Sequence, residues 1–374
     1  MAGSVCQSSS VIMADSTLAN TSAHSLTFVY YVSGHGFGHA TRVVEVTRHL
    51  IDAGHTVHIA TAAPHSIWLA EIDSPRLHFR RCLLDSGAIQ SDALTVNRME
   101  SLRTYEALFE RQEETVQGEV GFLQSVCADL VVVDIAPMAC TAARLAGVRC
   151  VVCTNFTWDF IYAEYVETQG QRFRVLCEEI ANDYAQADLL LRLPGCTPMP
   201  AFRRVEDVPL VVRMARTPRE TIRARHGIPA DAKVCIYNFG GQPTGWQLRE
   251  DFLPPGWVCL VCTALKMPLL PPNFIKPPAD AYTPDLIDAA DVMLGKVGYG
   301  TVSEAVAHDK PFVFIRRDYF NEQPFLLKLL SSHGLAHELR RDEFYAGRWA
   351  EKLEIALGRG APSSSPRPSP TPRR

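Results

Sequence analysis

The chain has 374 residues, 47% of them hydrophobic and 21% charged, with a formal net charge of −4 at pH 7. This length predicts two domains with sizeable cores, and the charge balance excludes a general nucleic-acid binder, which would be basic. Because no run of about 18 apolar residues occurs, we also expect no membrane span. Residues 1–25 lack the features of a secretory signal or a transit peptide, so we interpret them as a disordered lead-in to a cytoplasmic protein.

In chain order, the first part of the sequence alternates apolar runs with polar, periodic stretches. The predicted strands comprise residues 28–32, 57–61, 77–84, 129–134, 149–154 and 188–192. The predicted helices comprise residues 41–53, 97–125 and 137–147. Continuously apolar strands that alternate with helices predict a parallel sheet covered on both faces.

A proline-rich segment with interspersed basic residues, 193–232, interrupts this pattern and indicates a domain boundary. The strand–loop–helix pattern then restarts, with predicted strands at residues 233–239, 257–262, 291–294 and 311–315. We therefore predict domains at 26–215 and 216–358, followed by a disordered Pro/Ser/Arg-rich tail at 359–374. The predicted fold class is α/β, with two doubly wound Rossmann-like domains facing a central cleft.

The first predicted strand runs into a glycine loop that contains Gly34, Gly36 and Gly38, together with His35 and His39. The glycine spacing departs from GxGxxG, and the next strand ends without the acidic residue of an NAD site, which argues against nicotinamide binding. No Gly-Lys-Ser/Thr follows, so the loop is not a P-loop. It forms either a tight structural turn or a site for an acceptor or a phosphate, with a histidine as general base or anion contact.

Two more glycine loops follow predicted strands in the second half of the chain. The candidate nucleotide-binding residues in these loops are Gly240, Gly241, Gln242, Lys296, Gly298, Gly300, Thr301 and Glu304. Backbone N–H groups at helix starts bind phosphates, and a carboxylate in the first turn can bind the hydroxyls of a ribose. In both loops a threonine precedes Gln247 or Glu304 by three residues, which is the spacing of a capping box, so helix capping remains an alternative.

The segment 318–325 places Glu322 and Gln323 at another strand end, where a carboxylate and an amide suit a polyhydroxyl ligand such as a sugar. No Asp-x-Asp motif occurs in the sequence, so we expect neither a metal nor another cofactor. Helix dipoles and Lys or Arg would then neutralise bound phosphates. Two Cys-x-x-Cys matches, at 150–153 and 259–262, lie in predicted strands, where their side chains point to opposite faces and favour core packing over zinc binding.

The order of these loops resembles glycosyltransferase family 28, whose members have the GT-B fold. In that family a glycine loop ends the first strand, a Gly-Gly turn opens the second domain, and a Gly-x-x-Thr-Val-Ser-Glu segment contacts the nucleotide. The resemblance implies that the turn at Gly240 binds the diphosphate and that Glu304 binds the ribose. It also implies that Glu322 and Gln323 meet the donor sugar of a UDP-sugar, while the loop with His39 faces a carbohydrate acceptor.

Longer strings resemble the N-terminal half of the plant-type L-arabinokinase family over about residues 26–358, among them YYVSGHGFGHATRVVEV, NFGGQPTGW, LGKVGYGTVSEA and FVFIRRDYFNEQPF. Members of that family join a GT-B-like half to a GHMP-type sugar kinase, which phosphorylates L-arabinose at C1 with ATP. The phosphate loop of that kinase is absent from this sequence, so we expect no kinase activity in this chain.

The sequence supports two hypotheses of different classes. The leading one is a protein that binds a UDP-sugar and transfers its hexosyl or pentosyl unit, with His39 as the preferred base. The alternative is a non-catalytic sugar-nucleotide-binding or regulatory half of an L-arabinokinase, whose partner would be a GHMP-type sugar kinase domain. Neither hypothesis requires a nucleic acid or a membrane.

Overall fold

The computed structural model describes residues 25–240, 247–263 and 269–359, so most of the predicted lead-in and tail lie outside it. Within the described residues the strands form two fully parallel sheets, one of seven strands and one of six. The chain is therefore an α/β protein with two doubly wound sheets, as the sequence predicted. The sheets divide between Asp207 and Lys233, an interval that contains the predicted domain boundary.

The first sheet has the strand order β3-β2-β1-β4-β5-β6-β7. Its strands are β1 (Thr27–Val32), β2 (Thr56–Thr61), β3 (Leu77–Arg81), β4 (Leu130–Asp134), β5 (Arg149–Thr154), β6 (Leu189–Arg192) and β7 (Val205–Asp207). Its helices are α1 (Phe37–Asp52), α2 (Ser66–Leu69), α3 (Arg98–Phe109), α4 (Gln112–Ser125), α5 (Met138–Ala146), α6 (Trp158–Gln169) and α7 (Arg174–Tyr184). The strand order reverses between β1 and β4, where Val32 pairs with Asp134.

The second sheet has the order β10-β9-β8-β11-β12-β13. Its strands are β8 (Lys233–Gly240), β9 (Trp257–Thr263), β10 (Phe274–Ile275), β11 (Val292–Lys296), β12 (Phe312–Ile315) and β13 (Ala336–Glu338). The helices of this half are α8 (Arg219–Arg225), α9 (Thr283–Ala289), α10 (Tyr299–Ala307), α11 (Gln323–Ser332), α12 (Arg341–Tyr345) and α13 (Ala350–Arg359). Here the order reverses between β8 and β11.

Both sheets bury both faces, because their strands are continuously apolar and helices cover each side. The two faces of β5 carry Cys150 and Cys153 into different core clusters, as the strand period predicts. Cys153 and Leu193 from the first half pack in the same cluster as residues of the second sheet. The hydrophobic core is therefore continuous between the two halves.

Several predicted boundaries are wrong, and the strand predicted at 77–84 ends at Arg81. The first helix begins at Phe37 rather than Thr41, because Gly36, with φ of 73°, completes the turn out of β1. The predicted helix 97–125 is two helices, since the chain turns at 110–111 to lay both α3 and α4 on one core cluster. The strand predicted at 291–294 extends to Lys296.

Several elements of the structure are absent from the prediction. Helix α6 carries buried residues at helical spacing, Trp158, Ile161, Tyr162 and Tyr165, which is a periodic signal in the sequence itself. The short edge strand β7 is exposed at all three positions, so no apolar run marks it. It forms because it extends the sheet beside β6.

The closest backbone approach between β8 and β11 yields a stability prediction. Gly295→Ala should lower the free energy of unfolding by about 2 kcal/mol, because an added Cβ would overlap the backbone carbonyl oxygen of Asn238. Urea denaturation measures this change. The matched control is Gly121→Ala in α4, where an added Cβ meets nothing within 4 Å and helix propensity should raise stability by up to about 1 kcal/mol. Equal stabilities for the two variants would contradict the close approach.

Candidate functional site

The strand order locates the candidate site. In an open α/β sheet, ligands bind beyond the carboxyl ends of the strands where the order reverses. The loops after β1 and β4 in the first sheet, and after β8 and β11 in the second, occupy these positions. Residues from the loops after β1, β8 and β11 line one cleft between the two sheets.

The cleft contains two adjoining chambers. The histidine chamber, named for His35 and His39, has a volume of about 320 Å³. The glutamate chamber, named for Glu304, has a volume of about 510 Å³. The residues that line both chambers are Phe37, Gly38, Gly240, Gly300 and Thr301. We call this shared region the junction.

Two helix N-termini converge at the junction. Helix α1 begins at Phe37 and helix α10 at Tyr299, and neither has an acidic first turn or a side-chain cap. A Cβ at Gly300 would stand 3.6 Å from Cα of Gly38, so the two first turns lie against each other. The positive ends of both helix dipoles, with their free N–H groups, therefore favour an anion at this point.

His39, in the first turn of α1, is hydrogen-bonded to Asp134 at the end of β4, with 3.0 Å between Nδ1 and Oδ2. Asp134 is fully buried and is ion-paired with Arg42. Burial raises the pKa of Asp134, but Arg42 and then His39 more than offset this effect, so the pKa lies below its usual value. Arg42 Nη2 lies 3.2 Å from the same Nδ1, slightly farther than Asp134 Oδ2. Because an ionised carboxylate only accepts hydrogen bonds, the shorter contact assigns the proton to Nδ1 and leaves Nε2 as the basic atom, and the Arg42 contact is then not a hydrogen bond.

The backbone is strained immediately after Asp134. Ile135 is fully buried with φ of 69°, a left-handed conformation that is rare for a β-branched residue and costs about 1–3 kcal/mol. The Tyr184 hydroxyl donates a hydrogen bond to the Ile135 carbonyl at 2.6 Å. This bond helps to hold the sharp exit from β4 that leaves Asp134 facing α1.

The same polar network crosses to the second half of the chain. Arg42 Nη1 donates to Asn155 Oδ1 at 2.9 Å, and Asn155 Nδ2 donates to Glu322 Oε1 at 2.6 Å. The Arg42 guanidinium also lies 5.0 Å from the centre of the Tyr299 ring in α10. Arg42 therefore connects Asp134 to the second half of the chain through two separate contacts.

His35 differs from His39 in its electrostatic environment. Its ring packs edge-on against Trp158, with 6.1 Å between ring centres. Burial first, and then the charges of His39, Arg317 and Lys296, lower the pKa of His35 to about 3. A base with so low a pKa is weak near neutral pH, so the geometry favours His39 for proton transfer.

Glu304 lies in α10 and lines the glutamate chamber. Burial raises the pKa of its carboxyl to about 7, and the charge of Arg213 offsets this only in part. Arg213 is itself ion-paired with Glu71. No described residue donates a hydrogen bond to the Glu304 carboxylate, which is therefore available to hydroxyl groups of a ligand.

Most of the residues predicted for the site line these chambers: His35, Gly36, Gly38, His39, Gly240, Lys296, Gly298, Gly300, Thr301, Glu304 and Glu322. Gly34 and Gln323 line neither chamber. Gly34 packs against Ala62, and the Gln323 side-chain amide bonds to the backbone of Arg317. Gly241 and Gln242 lie outside the described residues. The ligand contacts of all these residues stay predictions.

The capping-box alternative at Glu304 is wrong. Helix α10 begins at Tyr299 with Gly298 as its N-cap and no side-chain cap, so Thr301 lies inside the helix. The helix starts at Tyr299, only three residues after the end of β11 at Lys296. Thr301 therefore cannot act as the N-cap, and no side chain caps the backbone N–H groups of the first turn. The other alternative, at Gln247, depends on Thr244, which lies outside the described residues.

Sequence reasoning missed four residues of the site, Arg42, Asp134, Asn155 and Arg317. The position of Asp134 at the end of a buried strand was an available signal, because strand ends at a reversal point carry sites. Arg42 has no such signal, since an arginine in a periodic helix usually faces solvent. Only the packing of α1 against the sheets buries it.

The architecture matches solved structures of glycosyltransferases. The calicheamicin glycosyltransferase CalG4 has a TM-score of 0.58 and 15% identity, with 90% of this chain and 92% of that chain covered. The spinosyn rhamnosyltransferase SpnG has a TM-score of 0.59 and 12% identity, covering 89% and 92%. Arabidopsis thaliana UGT89C1 complexed with UDP-L-rhamnose has a TM-score of 0.56 and 13% identity, covering 90% and 89%. The chain therefore has the predicted GT-B fold of glycosyltransferases.

A closer similarity exists in sequence. L-arabinokinase from Arabidopsis thaliana is 55% identical to this chain over 339 residues, which is 90% of this chain but 33% of that protein. The chain thus spans about a third of the length of the protein that it matches. This similarity confirms the predicted resemblance to the N-terminal region of L-arabinokinase. No family model matches the chain.

Among the described residues, no helix combines the length and the apolar character needed to cross a membrane. The same residues contain no group of three or more His, Cys, Asp or Glu side chains placed to hold a metal ion.

Removing the charge of Asp134 should destabilise the folded protein. Asp134→Asn leaves the Arg42 guanidinium buried without its counter-charge and should lower the free energy of unfolding by about 3 kcal/mol. Urea denaturation at pH 7 measures the loss. The matched control is Asp207→Asn, which removes an exposed ion pair with Arg192 and should leave the stability nearly unchanged, because solvent screens such a pair.

This cost should also depend on pH. The lowered pKa of Asp134 provides stability that is present above the unfolded-state pKa of about 4 and is lost as pH falls through the folded-state value. The difference between wild type and Asp134→Asn should therefore shrink as pH falls below about 4. Two outcomes would contradict a buried, ionised Asp134. One is a stability difference between wild type and Asp134→Asn that does not change with pH, and the other is an equal loss of stability in Asp134→Asn and Asp207→Asn.

Proposed function

We propose that this chain binds a UDP-sugar across the two chambers and transfers its hexosyl or pentosyl unit to a hydroxyl of a carbohydrate acceptor. The observation that carries this proposal is the meeting of the chambers at two helix N-termini, with Glu304 on one side and His39 on the other. A ribose offers hydroxyls to Glu304, a diphosphate suits the junction, and the sugar beyond it extends toward His39.

The structural neighbours support a UDP-sugar as the ligand. One neighbour is a UDP-glucosyltransferase from Polygonum tinctorium, and Arabidopsis thaliana UGT89C1 was solved with UDP-L-rhamnose. Both cover about nine tenths of this chain. The nucleotide-binding roles of Glu304 and Gly240, which the family resemblance implies, agree with their positions in the glutamate chamber and the junction.

The proposed reaction forms a bond between the acceptor oxygen and the anomeric carbon while the bond from that carbon to the diphosphate breaks. UDP leaves with the bonding electron pair, and negative charge builds on the diphosphate. The N–H groups at the starts of α1 and α10 stabilise this charge, because they are already oriented and need no rearrangement.

His39 takes the proton of the acceptor hydroxyl at Nε2 in this proposal. Asp134 holds the imidazole in the required tautomer through Nδ1 and stabilises the positive charge that the ring acquires. Arg42 keeps the Asp134 carboxylate ionised and in place. The contacts of Arg42 and Asn155 with the second half hold the two sheets together around the reacting atoms and limit access of water.

A second candidate is favoured by the 55% identity to part of L-arabinokinase. In this case the chain is a sugar-nucleotide-binding or regulatory half of an L-arabinokinase, and ATP-dependent phosphorylation of L-arabinose belongs to a GHMP-type kinase domain. Binding of a UDP-sugar is common to both candidates. They differ in turnover, so release of UDP discriminates between them.

Nucleotide binding is the first test. Calorimetry should show UDP and UDP-glucose binding to the wild-type chain, and Glu304→Ala should weaken both by about tenfold or more, since the ribose loses hydrogen bonds to a carboxylate. Glu178→Ala, an exposed substitution in α7 outside both chambers, should leave the affinities unchanged. Absence of heat with millimolar UDP, from protein whose fold is verified by circular dichroism, would overturn the proposal.

Turnover is the second test. With a panel of UDP-sugars and simple sugar acceptors, His39→Ala should lower kcat for UDP release by about 100- to 10,000-fold and leave KM for the donor nearly unchanged. His333→Ala, which changes an exposed histidine at the end of α11, is the control. Wild-type protein that binds UDP-sugars but releases no UDP with any acceptor would favour the regulatory candidate. A fully active His39→Ala variant would exclude His39 as the base.

A further inference from the structure

A buried arginine faces the histidine chamber without a counter-charge. Arg317 follows β12, is 8% exposed and lines this chamber. Its Nε atom is buried without a hydrogen-bond partner. The charge of Glu322 acts on the Arg317 guanidinium from a distance, but no described carboxylate forms an ion pair with it. Burying an unpaired cation is costly, because the lost hydration is not replaced. Such a group in a chamber wall indicates a missing anionic partner.

The position of Arg317 is held firmly. The Gln323 side-chain amide accepts from the Arg317 N–H at 2.7 Å and donates to its carbonyl oxygen at 2.6 Å. The guanidinium lies 4.0 Å from the centre of the Phe320 ring. The Gln323 bonds restrain the backbone of Arg317 and the Phe320 ring restrains its guanidinium before any ligand binds, which lowers the entropic cost of binding.

Lys296 adds a second unpaired cation to the same chamber. It ends β11 and lines the chamber, and no described residue forms a hydrogen bond or an ion pair with its ammonium group. Burial first, and then the charge of Arg317, lower the pKa of Lys296 to about 7. Two cations that repel each other in one wall are stabilised by a ligand anion placed between them.

The other charges of the chamber are already engaged. Arg42 is paired with Asp134, and His35 has a pKa of about 3 and is neutral. Glu322 is the one carboxylate among the described residues that line the chamber; it accepts a hydrogen bond from Asn155 at 2.6 Å, and its charge offsets only part of the positive charge of Arg317 and Lys296. The chamber therefore keeps an excess of unpaired positive charge.

The diphosphate of a UDP-sugar does not account for this charge. We place the diphosphate at the junction, which borders both chambers, whereas Arg317 and Lys296 line the histidine chamber alone. In the proposed orientation the histidine chamber receives the transferred sugar and the acceptor. The two cations thus face the sugars rather than the nucleotide.

We propose that the histidine chamber binds an anionic substituent, a carboxylate or a phosphate, on one of the two sugars, and that Arg317 and Lys296 hold it. The inference rests on the proposed function and names its substrate class. A carboxylate would come from a UDP-hexuronate donor, and a phosphate from a sugar monophosphate acceptor. Arginine binds both groups in a bidentate manner, and the lysine ammonium adds a second charge.

Calorimetry with matched probes tests the proposal and separates the two sources. UDP is titrated first, and then UDP-glucose and UDP-glucuronate; in a second arm glucose and glucose 1-phosphate are titrated into UDP-saturated protein. We expect one acidic probe to bind about tenfold or more tightly than its neutral counterpart, because a charge-assisted contact is gained. Binding of UDP without any preference for either acidic probe overturns this inference alone. Failure of UDP to bind overturns it together with the proposed function.

Substitutions of the two cations test whether they cause the preference for the acidic probe. Arg317→Met and Lys296→Met should each reduce the preference for the acidic probe about tenfold and change the affinity for UDP less than about threefold. Arg316→Met is the matched control, since this neighbouring arginine is exposed and paired with Glu338. If Arg317→Met does not fold, Lys296→Met, at a half-buried strand end, gives the result. Equal loss of UDP and acidic-probe affinity in the charge-removing variants would assign the cations to the diphosphate and overturn the inference.

Discussion

The buried ion pair between Arg42 and Asp134 is the contact on which the arrangement of the cleft depends. It keeps Asp134 ionised in an apolar core, and the ionised carboxylate in turn sets the tautomer of His39. The same guanidinium reaches Tyr299 and, through Asn155, the second sheet. Because a buried charge must be paired, any movement of the two sheets that separated these groups would also disturb His39. The position of His39 and the packing of the two halves against each other are thus coupled physically.

A second consequence of this geometry is that the anion site is built from backbone. The first turns of α1 and α10 meet with glycines at the contact, and neither turn contains an acidic side chain. Two helix dipoles that point at one position provide a fixed field for a diphosphate. The cationic side chains Lys296 and Arg317 lie apart from this junction, in the wall of the histidine chamber.

The similarity to glycosyltransferase structures and the identity to part of L-arabinokinase concern different levels of description. The first, at 12–15% identity for the neighbours compared, concerns how the backbone folds. The second, at 55% identity, concerns the side chains as well. Fold alone does not decide chemistry, because one fold serves many reactions. What distinguishes a transferase from a sensor here is whether Nε2 of His39 meets an acceptor hydroxyl while UDP can leave, and this depends on a few atoms in the histidine chamber.

The sequence by itself determined the two parallel sheets and the positions of the glycine loops, because apolar strand runs and glycine-dependent turns are local properties of the chain. It also located His39 at a strand–helix junction, whereas Glu304, expected in a first helical turn, lies further along α10, which begins at Tyr299. Only the tertiary structure decided the partner of His39: Asp134 lies 95 residues away and arrives because β1 and β4 pair at the reversal of strand order. Likewise, Arg317 is an ordinary charged residue in sequence and becomes an unpaired buried cation only when the second sheet closes against the first. Burial and charge pairing arise between distant segments, which no local pattern encodes.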